Sequence, residues 1–228
     1  MTPAFDPGRP WLAPLRPWID RLPAATSVAE ALNAIAEGDP RFVSQATLPV
    51  GEPYEVFIAR TATVPTRDNL HDLFNGLVWQ RHRALKQRLN AWQAAEIGLH
   101  GITAVRGALR DALTLFDEFG ACWRDPPPPL AEALRRRDWY ALFVRHRRLW
   151  ADAAPELLGH ALLEQLAAAP RKGLTAHVAL GDPMDWTAAE WAAKPFLPLP
   201  VLGIPGWWPA NEDPLFYVDT QVFRAARP

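Results

Sequence analysis

Prolines are spaced so closely through residues 195–214 that this part of the chain can form neither a continuous helix nor a central strand. Six prolines and two glycines fall within it, and each proline removes a backbone N–H donor and fixes φ. The same segment carries Trp207 and Trp208, whose large rings favour burial. We therefore expect a long irregular C-terminal segment that packs against the rest of the protein.

The first residues of the chain have a similar character, because prolines alternate with spaced aromatic residues. We expect an arm over residues 1–25 that lies on the body of the protein, followed by a single domain over residues 26–228. The arm has no continuous apolar stretch of the kind that a signal peptide requires. A single cysteine, Cys122, permits no internal disulfide. These features favour a cytoplasmic protein, in which Cys122 is an inert apolar residue of a strand.

Between these segments, helical and strand patterns alternate without the regular order of an α/β fold. Ser27 followed by Glu30 is typical of a helix N-terminus, and apolar residues at helical spacing predict the longest helix over residues 68–95. Residues 112–123 predict a β-hairpin. The other predicted elements are strands over 54–60 and 174–180 and helices over 130–150, 155–168 and 187–193. The sequence thus predicts an α+β, helix-dominated single globular domain with short strands, a hairpin and an irregular Pro/Trp-rich C-terminal segment.

Charge and hydropathy exclude several classes of function. The chain has 24 Lys and Arg residues against 25 Asp and Glu residues, a net charge of −1, which is not the balance of a polyanion-binding protein. No apolar run approaches the roughly 18 residues of a membrane span. Basic residues at 135–137 and 145–148 surround Trp139 and Tyr140. Without a known binding motif, a solvated helix face explains them better than a nucleic-acid site does.

The densest group of polar residues lies at the start of the longest predicted helix. Its members include Arg67, His71, Asp72 and Asn75, of which His71 and Asn75 lie at the border of the apolar stripe. The helical wheel also places His82 within about 40° of His71. Because border positions can be partly buried and still face a cleft, this group predicts a ligand site. The alternative is that Asp68 and Asn69 cap the helix and that His71 lies at the edge of the core and bonds to the backbone.

Two further pairs of residues carry potential ligand atoms. His160 and Glu164 lie four residues apart on a predicted helix, a spacing that lets both bind one metal ion or lets the carboxylate orient the imidazole. An exposed ion pair has the same spacing. Asp117 and Glu118 are adjacent at the predicted hairpin turn, where turn formation explains the two acids better than metal binding does.

The C-terminal segment carries acids without nearby basic residues. No Lys or Arg lies between positions 195 and 223, so Glu212 and Asp213 either pair with arginines elsewhere or bind a cation. Arg67 and Lys172 are the candidates for holding an anionic group.

Several of these segments together resemble a bacterial family catalogued only as a domain of unknown function, number 3025. The segments that carry the resemblance, in the order of the family, are RDNLHDLFNGLVW (67–79), LTLFDEFG (113–120), GHALLEQL (159–166), KGLTAHV (172–178) and PLPVLGIPGWWPANEDPLFY (198–217). The chain departs from the family pattern at Leu70 and at His82–Arg83, which argues against a general role for His82. The resemblance implies a shared fold and a bacterial soluble protein, and it brings no activity.

Together these observations predict a hydrolase-type enzyme with a cleft between the 68–95 helix and the 198–217 segment. His71 would be the base or a metal ligand, positioned by Asp72 and Asn75. An optional divalent metal would be held by residues drawn from His160, Glu164, Glu212 and Asp213. The alternative is a non-catalytic binding or regulatory protein in which these residues form a structural hydrogen-bond network. Either way, we expect a small molecule or a protein as the partner, and neither nucleic acid nor a membrane.

Overall fold

The computed structural model describes residues 4–102, 105–151 and 153–226, so the first three residues of the predicted arm and the last two of the predicted domain lie outside the described ranges. The helices are α1 (Arg16–Ile19), α2 (Val28–Ile35), α3 (Tyr54–Thr61), α4 (Leu70–Arg81), α5 (Arg83–His100), α6 (Ala108–Phe119), α7 (Pro128–Arg136), α8 (His160–Ala168) and α9 (Ala188–Ala192). The strands are β1 (Arg41–Ser44), β2 (Thr63–Thr66), β3 (Gly120–Trp123), β4 (Glu156–Leu157), β5 (Thr175–Leu180) and β6 (Leu197–Pro200). Helices dominate and the sheets are small, which confirms the α+β prediction.

The strands form two separate sheets. One is a parallel pair of β1 and β2, and the other has the order β4-β3-β5-β6. In the larger sheet, β3 and β5 are parallel, whereas both outer strands run antiparallel to their neighbours. The proline-rich strand β6 lies at an edge of the sheet. Prolines are tolerated there because the outer side of an edge strand has no neighbouring strand to which an N–H could donate. This confirms that the proline-rich segment forms no central strand.

Two predicted β-elements are wrong because their apolar residues lie on one helical face. Residues 54–60 form helix α3, which begins after Pro53 and buries Phe57 and Ile58. The predicted hairpin over 112–123 is helix α6 followed directly by strand β3. Ala112, Leu113 and Phe116 are fully buried at helical spacing, and Gly120 has an extended backbone with φ −74° rather than a turn conformation.

The helices predicted over 68–95 and 130–150 are each divided. His82 has φ −119° and ψ 40°, which separates α4 from α5. Its Nε2 atom lies 3.1 Å from Glu156 Oε1, so His82 does not share the face of His71. Helix α7 ends where Arg137 takes a left-handed conformation with φ 52°, and single turns of π-helix and 3-10 helix complete the segment.

The remaining predicted elements lie close to their expected places. The 155–168 helix begins later, as α8, because residues 156–157 pair with β3. Helix α9 and strand β5 confirm the predictions over 187–193 and 174–180. At α2, the Ser27 hydroxyl accepts from the Glu30 N–H at 3.2 Å, while the Glu30 carboxylate accepts from the Thr26 N–H at 3.1 Å.

Both terminal segments are fixed to the core by buried side chains. Trp11, Leu12 and Leu15 of the N-terminal arm are nearly inaccessible to solvent, although this part of the arm is helical rather than irregular. In the C-terminal segment, the Asn211 side chain is fully buried and donates to the carbonyls of Leu202 and Ile204 at 2.8 and 2.7 Å. These bonds satisfy backbone groups that an irregular segment would otherwise leave unpaired.

Cys122 lies buried in strand β3, as expected, and burial raises the pKa of its thiol to about 12. The thiol is therefore protonated and unreactive at neutral pH. Among the described helices, none combines the length and the apolar character that crossing a membrane requires.

Gly159 joins strand β4 to helix α8 and lies directly against the end of α6. A Cβ atom at this position would lie 2.4 Å from Phe119 Cα and 2.5 Å from the Glu118 carbonyl oxygen. Because backbone atoms cannot move aside, we expect Gly159→Ala to lower the free energy of unfolding by about 2 kcal/mol in urea denaturation. Gly98→Ala is the control, since its Cβ meets no atom within 4 Å and should stabilise α5 by roughly 0.5 kcal/mol. Equal stability of the two variants would contradict the close contact at Gly159.

Candidate metal centre

A cavity of about 330 Å³ opens between α3, α4, α5, α6 and α8. Most of the side chains in its wall are polar. Two histidines meet at one place in this wall, His71 from the first turn of α4 and His160 from the start of α8. Asn69 fixes the beginning of α4, because its side chain accepts from the Asp72 N–H at 2.8 Å.

The two imidazoles face each other through their Nε2 atoms. These atoms are 3.0 Å apart, and the rings are nearly perpendicular, with centroids separated by 4.4 Å. His160 is buried, whereas His71 is about one quarter exposed. The pair therefore presents two nitrogen atoms at the wall of an accessible cavity.

The two histidines differ at their other ring nitrogen. His71 Nδ1 lies 2.9 Å from Glu164 Oε2, whereas His160 Nδ1 lies 3.8 Å from Asp117 Oδ2, beyond hydrogen-bond length, and has no hydrogen-bond partner among the described residues. A proton on His71 Nδ1 satisfies Glu164 and leaves an unshared electron pair on His71 Nε2. His160 is uncharged at neutral pH, because burial lowers its pKa to about 3. Its single proton then lies either on Nε2, directed at His71, or on Nδ1, which has no hydrogen-bond partner in the part of the chain that the structure describes.

Glu118 completes a group of three potential ligands. Its Oε2 atom lies 3.6 Å from His160 Nε2, and ligand atoms of His71, Glu118 and His160 all lie within 4.8 Å of one another. The pKa of Glu118 is raised, chiefly by burial. His71 opposes this shift, and the negative charge of Asp117 adds to it. Ligand atoms roughly 2.0–2.2 Å from one metal ion lie about 3–3.5 Å apart. The separations of 3.0 and 3.6 Å are therefore close to those of a coordination shell.

A buried chain of hydrogen bonds supports the carboxylate behind His160. The Lys86 ammonium, 6% exposed, donates to Asp117 Oδ1 and to Asn75 Oδ1, the latter at 2.8 Å. Asn75 Nδ2 in turn donates to the Tyr54 hydroxyl at 3.1 Å. Burial raises the pKa of Asp117, but the charge of Lys86, its hydrogen bond and the two neighbouring histidines together outweigh burial, so the pKa is lowered overall. Asp117 thus remains ionised beside His160.

Arg67 lies at the mouth of the cavity and is held by Asp72. Its Nε and Nη2 atoms donate to the two Asp72 oxygens at 3.1 and 2.8 Å. The hydrogen bond with Asp72 raises the pKa of Arg67, with the Asp72 charge adding to it. Asp72 therefore orients Arg67 and does not face the histidines as a third ligand.

The structure brings together most, but not all, of the predicted site residues. Those that line the cavity are Arg67, His71, Asp72, Asn75 and His160, and Glu164 adjoins it through His71.

The structure does not bring the predicted C-terminal residues to the cavity, and it confirms the alternative in which Glu212 pairs with an arginine elsewhere in the chain. Lys172 Nζ lies 3.1 Å from Asp219 Oδ2, and Glu212 Oε1 lies 2.5 Å from Arg147 Nη2. Asp213 accepts from the Leu215 N–H at 2.9 Å. Residues 198–217 contribute nothing to the described wall of the cavity, so the cleft is formed by helices instead.

Sequence reasoning gave too little weight to the acids at the end of α6 and did not identify Lys86. The predicted hairpin placed Asp117 and Glu118 at a turn, where adjacent acids are common without a ligand. In the structure they lie at the end of α6 instead. Lys86, Asn90 and Gln93 follow one another at helical spacing on the buried face of α5. Polar residues at such positions require partners or a ligand, and this was the available signal.

His160 should make the stability of the metal-free protein depend on pH. Its folded-state pKa of about 3 lies below the ordinary value of 6.5, so its contribution is fully present above pH 6.5 and is lost as the pH falls towards 3. Between pH 6 and pH 4, we expect this group to remove about 2 kcal/mol of unfolding free energy. Urea denaturation with a chelator present should show a flatter profile for His160→Gln than for the wild type. Parallel profiles would contradict the buried neutral imidazole.

Comparison with known proteins identifies the family of this chain, and that family has no described activity. The model of a family described as "Protein of unknown function (DUF3025)" matches residues 40–193 and 179–227. Neither the curated proteins nor the solved structures contain a significant match to this chain.

Proposed function

We propose a function from the site itself, because the chain belongs to the DUF3025 family and the description of that family states no activity. Under this proposal, the protein is a divalent-metal-dependent hydrolase in which His71, His160 and Glu118 hold the metal. The observation that carries it is the pair of Nε2 atoms facing each other at 3.0 Å, with Glu118 Oε2 3.6 Å from His160 Nε2 and His71 Nδ1 bonded to Glu164.

The carboxylates favour a cation between the two imidazoles. If each imidazole carries its proton on Nδ1, where that of His71 is donated to Glu164, both Nε2 atoms carry unshared electron pairs that repel each other. A cation between them removes this repulsion and satisfies Glu118 as well. Histidines that bind metals commonly donate their second ring N–H to a carboxylate in this way. Two nitrogen ligands and one oxygen ligand favour Zn²⁺ or a similar transition metal over Mg²⁺ or Ca²⁺.

Three protein ligands leave room for a further ligand, as in catalytic zinc sites. When bound, such a metal polarises a carbonyl and lowers the pKa of water. Glu164 fixes the ring orientation of His71, and Lys86 keeps Asp117 charged near His160. The Tyr54 hydroxyl accepts a bond from Asn75, so its own proton is available to a substrate oxygen. Burial, followed by the charge of Asp72, raises the pKa of Tyr54 far above its ordinary value, so that Tyr54 remains a donor.

Metal content and hydrolysis should be measured on the same untagged protein. We expect about one equivalent of Zn²⁺ per chain by elemental mass spectrometry. The metal-loaded protein should also hydrolyse small chromogenic esters or anilides. A chelator should abolish this activity, and one equivalent of Zn²⁺ should restore it. Hydrolysis that is unchanged after complete removal of the metal would contradict the proposal.

A second candidate rests on the same pair of histidines. A proton on His160 Nε2 would donate directly to His71 Nε2, since 3.0 Å is an ordinary hydrogen-bond length. The cavity residues would then be a structural network in a non-catalytic binding or regulatory protein. Under this reading, the protein takes up no metal and truncation of either histidine lowers its melting temperature. Metal uptake that depends on both histidines decides in favour of the enzyme.

A further inference from the structure

The cavity continues along helix α5, away from the two histidines. Lys86, Asn90 and Gln93 all line it and follow one another on one face of α5. Lys86 marks the histidine end, because it contacts the carboxylate of Asp117 beside His160. At a rise of 1.5 Å per residue, Gln93 lies about 10 Å further along the helix. We call the region around Asn90 and Gln93 the amide end of the cavity.

Each side-chain amide at this end has one of its two polar atoms already bonded. Asn90 Nδ2 donates to the Glu55 carbonyl at 3.1 Å, and Gln93 Oε1 accepts from the Thr114 hydroxyl at 3.3 Å. Within the described residues, Asn90 Oδ1 and Gln93 Nε2 have no such partner. One acceptor and one N–H donor therefore remain for a ligand, about one helical turn apart.

The charges around the cavity argue against an ionic ligand group here. Among the described lining residues, the two basic side chains are already paired, Arg67 with Asp72 and Lys86 with Asp117. An anionic group would have no unpaired cation to bind. A carboxylate would also place an acceptor against Asn90 Oδ1, and an ammonium would place a donor against Gln93 Nε2. A carboxamide offers one acceptor and one donor and so satisfies both.

We infer that the amide end binds an uncharged carboxamide group of the substrate while the reacting bond lies at His71, His160 and Glu118. The inference rests on the proposed function, because the histidine end is taken as the place of reaction. A volume of about 330 Å³ corresponds to roughly ten water molecules, so the part of the substrate that enters the cavity is a small amide-bearing group.

The test uses metal-chelating probes on the full chain loaded with Co²⁺, whose visible absorption reports binding. Four hydroxamates carry tails of equal length that end in a carboxamide, a carboxylate, an ammonium or a methyl group. Each is long enough to span about 10 Å along α5. We expect the carboxamide probe to bind at least tenfold more tightly than the other three. Gln93→Glu should lose this preference, because it replaces the free donor by an acceptor. Gln87→Glu, which adds the same charge to the exposed face of α5, should keep it.

The outcomes separate the two proposals. Equal affinity for all four tails, or tightest binding of a charged tail, would overturn the amide end and leave the metal centre standing. Loss of the preference in Gln87→Glu as well would also overturn it, since a distant charge would then explain the effect. A chain that binds no Co²⁺ would overturn the metal centre and, with it, the inference.

Discussion

His160→Ala is expected to lower the affinity for Zn²⁺ by about 100-fold or more. His160 supplies one of the three proposed ligand atoms, and loss of residues that only orient a ligand already costs about 10–100-fold. Competition with a chromogenic chelator would measure the affinity, and the far-ultraviolet spectrum would show whether the fold is retained. Activity against the small esters should disappear with the metal, because both depend on the same ligand set.

Two further variants make this result specific. Glu164→Gln retains both histidines but weakens the partner of His71 Nδ1, so its affinity should fall by about 10–100-fold, less than that of His160→Ala. His100→Ala changes a histidine at the exposed end of α5 and should bind Zn²⁺ as the wild type does. An unchanged affinity in His160→Ala would refute this ligand set, even if the protein bound zinc elsewhere.

Lys86→Met is expected to lower the free energy of unfolding by about 3–5 kcal/mol. The Lys86 side chain is 6% exposed and that of Asp117 is 22% exposed, so the substitution leaves a carboxylate in a mostly buried place without its counter-charge. It also removes the donor to Asn75 Oδ1. Urea denaturation at pH 7 measures the effect. The loss should be smaller at low pH, where protonation of Asp117 removes the unpaired charge.

The Lys86–Asp117 pair of the wild type determines the direction in which stability changes with pH. Lys86 lowers the folded-state pKa of Asp117, so the contribution of the pair is present above the ordinary carboxyl pKa and is lost as the pH falls through the folded value. Lys194→Met is the matched control, because Lys194 pairs with Asp111 at the surface, where both side chains are substantially exposed. It should cost less than about 1 kcal/mol. Equal costs for the two lysines would contradict the buried character of the Lys86 pair.

Part of the candidate site could be predicted from the sequence because its residues are close together along the chain. Helical spacing alone places His71 and Asn75 on one side of α4, and Arg67 and Asp72 lie within a few residues of them. His160 and Glu164 were identified in the same way. What could not be predicted is that Glu164 binds His71, a residue 93 positions away, because that contact depends on how α4 and α8 pack.

Local chemistry determined the features that the sequence predicted correctly. Prolines confined residues 195–214 to an edge strand and irregular turns because a missing N–H and a fixed φ act wherever the chain folds. The polar residues of α4 and α8 had to be paired because their neighbours are apolar.

Only the tertiary structure decided which residues form the centre. Residues 112–119 form a helix because the apolar face with Ala112, Leu113 and Phe116 packs into the core. The packing of this helix places Glu118 beside the histidines. Packing also paired Glu212 with Arg147 and Asp219 with Lys172, residues that are distant along the chain. Ion pairs and ligand sets depend on distances between elements remote in sequence, which neither periodicity nor spacing encodes.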